Sequence, residues 1–153
     1  MLEAVKALDS IDRPLQILAV TGTNEKLYHR LITMVPTLSH TVQVFGHVEF
    51  IADLMSVASL IITKPGGLTA SEALAKGLPI VVLNPIPGQE VKNANFLARA
   101  HVAVQASGPE ELPRVIRTLL ADPALLNQMR LRARELGKPR SALDAAELLL
   151  RGL

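Results

Sequence analysis

The chain has 153 residues, 49% of them hydrophobic, which is material for one compact domain rather than two. It contains no cysteine, which excludes a disulfide framework, a thiol nucleophile and a thiolate metal site and fits a reducing compartment. A net charge of +2 does not demand a nucleic-acid partner, and neither a run of about 18 apolar residues nor a basic-then-apolar leader is present to mark a spanning helix or a signal peptide.

The elements expected in chain order alternate short β-branched runs with longer segments of helical period. Residues 1–14 show only Leu2, Val5 and Leu8 in register and read as a lead-in helix that frays. The domain proper is expected over 15–153. Leu15 to Val20 reads as a strand, Thr21-Gly22-Thr23-Asn24 as a tight turn, and Leu27, Leu31, Ile32 and Val35 as one helix face ending near Pro36. A second strand over Thr41 to Phe45 leads through Gly46 to a helix over Phe50 to Val57. The third strand, Leu60 to Thr63, is closed by Lys64-Pro65-Gly66-Gly67 and followed by a helix that ends at Gly77, where glycine suits the left-handed stop.

Pro79 to Leu83 is apolar at every strand position, as a central parallel strand covered on both faces should be. A helix over Gln89 to Ala100, a strand over Val102 to Gln105 and closing helices within 109–153 complete the pattern. The fold class is therefore α/β: a doubly wound, Rossmann-like parallel sheet with helices on both faces. In such sheets ligands bind at the carboxyl ends of the strands, which points to the turns at Gly22, Gly46, Gly66 and Pro85.

Two stretches carry the chemistry. Ile62-Thr63-Lys64-Pro65-Gly66-Gly67-Leu68-Thr69-Ala70-Ser71-Glu72 runs from a strand end through a glycine turn into a helix start. Unpaired amides and the positive end of the helix dipole stabilise a phosphate there, and glycine lets it approach closely. The spacing fits neither the Walker pattern nor the three-glycine dinucleotide pattern, which disfavours ATP and NAD. Thr69-x-x-Glu72 also fits a capping box, in which both side chains serve backbone donors, while a free Glu72 carboxylate can hold two hydroxyls at once. The second stretch, Pro85-Ile86-Pro87-Gly88-Gln89-Glu90-Val91-Lys92-Asn93-Ala94-Asn95, sets Gln89, Glu90 and Asn93 around the first turn of a helix, where they suit a polyhydroxylated ligand or merely a solvated helix start.

Together the motifs Ile-Thr-Lys-Pro-Gly-Gly-Leu-Thr-x-x-Glu, Gly77-Leu78-Pro79 and Pro87-Gly88-Gln89-Glu90-x-x-Asn93-Ala94-Asn95 resemble the carboxyl-terminal, nucleotide-sugar-binding domain of two-domain (GT-B) glycosyltransferases. That group includes the bacterial N-acetylglucosaminyl transferase of peptidoglycan precursors and the diacylglycerol glycosyltransferases. The chain is most similar to the diacylglycerol branch, although Leu68 resembles the peptidoglycan one. The resemblance runs from about Leu15 to Val104.

It implies a UDP-sugar donor and an inverting transfer of a hexose to a lipid-type acceptor. By resemblance, backbone groups near Val48, with His47 beside them, meet the uracil. Glu72 holds the ribose, and Gly66, Gly67, Leu68 and Thr69 face the diphosphate. Gln89 and Glu90 contact sugar hydroxyls with Asn93 in support, and Gly22, Thr23 and Asn24 approach the phosphates from the first strand. The acceptor site and the base are expected on an amino-terminal domain, so no catalytic residue is assigned here. A donor-binding subunit of a two-chain transferase and part of a nucleotide-sugar epimerase are the alternatives.

No cofactor is expected, and no metal either: there is no Asp-x-Asp cluster, and His29, His40, His47 and His101 lack metal-ligand spacing. From Leu112 onward eight Lys or Arg face four Asp or Glu, against eight and ten before it. That basic final third reads as solvated helix faces or as a surface meeting anionic lipid or a partner. The expected location is cytoplasmic, peripheral to the membrane where the acceptor is a lipid.

Overall fold

The computed structural model describes residues 1–151; Gly152 and Leu153, the end of the expected closing-helix range, lie outside the described residues. In chain order the helices are α1 (Leu2–Asp9), α2 (Glu25–Met34), α3 (Ile51–Val57), α4 (Gly67–Ala75), α5 (Gln89–Arg99), α6 (Leu112–Ala121), α7 (Pro123–Leu136) and α8 (Ser141–Arg151). The strands are β1 (Gln16–Val20), β2 (Thr41–Phe45), β3 (Ile61–Thr63), β4 (Ile80–Leu83) and β5 (Ala103–Ala106). All strand pairs are parallel, with Gln16 opposite Thr41, Ile61 opposite Ile80 and Ile80 opposite Ala103.

Alternation along β4 explains why the sheet is covered on both faces. Successive side chains of a strand point to opposite sides. Val81 joins the cluster of Ala4, Leu8, Leu112, Val115 and Leu119 from α1 and α6. Ile80 and Val82 join the opposite cluster, with Met55, Ala70, Ala73, Ala94, Leu97 and Ala133 from α3, α4, α5 and α7. All three β4 residues are fully buried.

The hydrogen-bonded ladder departs from the single sheet expected. It falls into two blocks, β1–β2 and β3–β4–β5. With only three residues, β3 has few backbone groups to offer and pairs with β4 alone. The blocks are joined by side chains instead, since Ile17 of β1 and Ile62 of β3 pack on one apolar cluster together with Val81 and Val104.

The second departure concerns α1, which is no frayed lead-in. Ala4, Val5 and Leu8 are buried, and so is Ile11 just beyond. Val5 packs with Ala19, Leu31 and Val42, while Ala4 and Leu8 pack against α6, so this short helix closes two apolar clusters at once. Its end is tied on both sides. The Asp9 carboxylate accepts from Ser39 N at 2.8 Å, His40 N at 3.1 Å and Ser39 Oγ at 3.0 Å. Desolvation raises the Asp9 pKa, but those hydrogen bonds outweigh it and hold the carboxyl below its ordinary value. On the other side Arg117 donates to Ser10 O and Arg13 to Leu120 O, each at 2.7 Å.

At the far end α8 has no buried residue. Leu143, Leu148, Leu149 and Leu150 are exposed, and Arg140 and Arg151 pair with Asp144 and Glu147 on the solvent side. Exposed pairs of this kind contribute little to stability.

Candidate functional site

Two adjoining turns are built by the ends of β1 and β2. Thr21 N donates to Phe45 O at 2.8 Å, and the Thr21 hydroxyl donates to the same oxygen at 3.1 Å. Gly22 has φ +59°, a conformation that suits glycine, and a Cβ built on Gly46 would lie 3.8 Å from Gly22 O. Beyond these turns opens a groove of about 600 Å³ lined by Gly22, Thr23, Glu25, Tyr28, His29, Gly46 and His47. Of the residues predicted here, Gly22, Thr23 and His47 line the groove, and Val48 follows His47 half-buried. Asn24 is not among the lining residues, and its side-chain oxygen caps α2 by accepting from Leu27 N at 2.9 Å.

Glu25, Tyr28 and His29 also line the groove and were not among the residues expected there. Their signal was positional, because they follow the Asn24 cap on the first turns of α2, and Tyr28 and His29 meet edge to face at 5.5 Å.

The turn after β3 builds the second part. Gly66 N donates back to Lys64 O at 2.8 Å, and Gly66 is the N-cap of α4, with φ −61° and ψ 148°. The capping-box alternative is thereby corrected. The helix begins at Gly67, so Thr69 is its third residue rather than its cap, and no side chain caps α4. The first amide bonded inside the helix is that of Ala70, to Gly66 O at 2.9 Å. The amides of Gly67, Leu68 and Thr69 remain as the orphan donors of the helix start. Nothing lies within 4 Å of a Cβ built on Gly66 or Gly67, and Gly67 and Leu68 are exposed, so this helix start lies at the surface. Glu72 is exposed one turn further on.

The third part is the start of α5, reached through Gly88 with φ +107°. The Glu90 carboxylate folds back to accept from Ile86 N at 2.7 Å, closing the preceding loop. Gln89 Nε2 donates to Asn93 Oδ1 at 3.0 Å, and Asn93 Nδ2 donates to Pro65 O at 2.8 Å. That last bond brings the two sequence motifs together, so the turn after β3 and the first turn of α5 form one constellation.

Residues 1–136 match the family Glycosyl transferases group 1. The chain belongs to that family. Among members of similar sequence are processive diacylglycerol beta-glucosyltransferases of Bacillus thuringiensis (strain Al Hakam), 37% identical, and of Bacillus cereus (strain B4264), 38% identical, each over 136 residues that make up 89% of this chain. The chain spans about a third of the length of these relatives, 35% in both. Among solved structures, Acinetobacter baumannii MurG matches 98% of this chain and 44% of its own with a TM-score of 0.77 at 28% identity. The Rossmann-like α/β fold read from the sequence is thus shared with a GT-B glycosyltransferase, over less than half of that neighbour's chain.

Proposed function

We propose that this chain is the donor-binding half of an inverting glycosyltransferase that takes a UDP-sugar and passes its hexose to a lipid-type acceptor. The carrying observation is the uncapped first turn of α4, whose Gly67, Leu68 and Thr69 amides are open beside two glycines without side chains. A diphosphate there meets backbone donors and the positive end of the helix dipole together. Glu72, one turn along α4, is within the same helix face to accept from ribose hydroxyls. Gln89 and Glu90 read the sugar, and the groove at His47 and Val48 takes the uracil. The activity for which the Bacillus relatives are named supports a diacylglycerol-type acceptor.

In an inverting transfer the acceptor oxygen attacks the anomeric carbon while its bond to the β-phosphate oxygen breaks. The acceptor proton passes to a base, and UDP leaves with the bonding pair. The α4 amides act on the leaving group, where charge grows, and so favour the transition state over the ground state. The acceptor site and the base belong to an amino-terminal domain, so this chain alone binds donor without efficient turnover. The whole enzyme works peripherally at the cytoplasmic face of the membrane. Among the described residues no helix is long and apolar enough to cross a membrane.

Calorimetric titration tests the assignment. UDP is expected to bind. Glu72→Ala is expected to weaken UDP about tenfold, the cost of losing charge-assisted hydrogen bonds, with little effect on sugar phosphates that lack the nucleoside. Gln89→Ala is expected to reduce the preference among UDP-sugars. Equal loss for UDP and sugar phosphate in Glu72→Ala would remove the ribose role.

A further inference from the structure

We propose that the donor site is divided between two blocks of the fold that shear against each other, and that bound UDP clamps them together. The inference rests on the donor reading above and adds a conformational step to it. One block is β1, α2 and β2, with Ala19, Leu31 and Val42 as its own apolar cluster. The other is β3, β4 and β5, against which α3, α4, α5 and α7 pack through Met55, Ala70, Ala73, Ala94, Leu97 and Ala133.

What holds each block differs from what joins them. Within a block the parallel ladder fixes the register of the strands. Among the described residues no backbone hydrogen bond joins β1 to β3. Thr21 N donates to Phe45 O and Ile61 N to Pro79 O, so alternation along the strands turns the Val20 and Ile62 amides to the opposite edges, away from their own ladders. The seam itself is apolar: Leu15 and Ile17 pack on the cluster that takes in Leu60, Ile62 and Val81. Apolar contact is non-directional, and it permits small sliding movements that a ladder forbids.

The segment from α1 to β1 straps the two blocks together. On one side Val5 packs with the first block, and Asp9 accepts from Ser39 N and His40 N at the start of β2. On the other, Ala4 and Leu8 pack against α6, Arg117 donates to Ser10 O and Arg13 donates to Leu120 O. Gly22, Thr23 and His47 lie at the strand ends of the first block, whereas α4 and α5 start on the second. A nucleotide that fills both parts binds best when the blocks are aligned, and that difference in affinity is what draws them together.

The test exploits the absence of cysteine from the chain. Lys26→Cys on α2 and Asn127→Cys on α7, both exposed positions, carry one spin label on each block. The distribution of distances between the labels is expected to be broad in the free protein and to narrow at saturating UDP. Identical distributions with and without bound UDP would overturn the proposal. Arg117→Ala, which releases the strap from α6, is expected to broaden the free distribution further and to weaken UDP about threefold, because only the aligned fraction binds. Arg132→Ala, which removes an exposed ion pair with Glu135 on α7, is expected to do neither. An Arg117→Ala protein with the parent distribution and affinity would overturn the role of the strap. If the parent protein does not bind UDP, the donor reading fails, and the free distribution alone decides the shear: a broad one upholds it and a single narrow peak overturns it.

Discussion

Replacing Gly66 by Asp is expected to make the protein more stable while reducing UDP binding at least about a hundredfold. The position is an N-cap in an extended conformation that any residue adopts, with open space where the Cβ would go. A carboxylate there can accept from the amides of the first α4 turn. Relative to glycine the cap contributes a few tenths of a kcal/mol, and the helix dipole adds roughly 0.3–1 kcal/mol. Those amides are the ones proposed to hold the diphosphate. A ligand bearing two or more negative charges must then displace a tethered carboxylate and endure its repulsion, which is worth several kcal/mol in a partly desolvated site. Gly66→Asn, a neutral cap, separates occupation from charge and is expected to show the smaller loss. Thermal melts and titration read the two effects independently. An Asp variant that gains stability but binds UDP as before would move the phosphate away from α4.

Leu8→Ala is expected to cost about 3 kcal/mol of stability, the middle of the range for emptying a buried leucine site. For a domain of this size that lowers the melting temperature by about 6–12 °C. Leu8 is 7% exposed and packs against α6 residues Leu112, Val115 and Leu119. The matching control is Leu143→Ala in α8, where the side chain is 59% exposed and no measurable change is expected. Equal, negligible effects at both positions would show that α1 is a loose appendage after all.

The contrast between α1 and α8 also shows what the sequence disclosed. Helical period, strand composition and glycine stops placed the core elements to within about three residues, because each has a periodic face long enough to register. An eight-residue helix such as α1 has too few turns for that, and its stability comes from packing that no local pattern reveals. The motif residues around Gly66 and Gln89 were legible because glycine turns and polar helix starts are punctuation. Two things were not. Whether Thr69 or Gly66 caps α4 depends on where the chain leaves the turn, a choice made by backbone geometry rather than residue type. The Asn93 bond to Pro65 is a contact between segments 28 residues apart, and spacing alone could not pair them.

Val81, Ile80 and Val82 turn their side chains alternately toward the two apolar clusters, so β4 is a shared wall. Both sides of the molecule read its position directly. A volume change at Val81 therefore cannot be absorbed by the α1–α6 side alone: any shift of that backbone also disturbs the registry of α4 and α5, the helices whose starts frame the open amides. Drift in sequence on the remote face is thus constrained by the edge proposed to bind the donor.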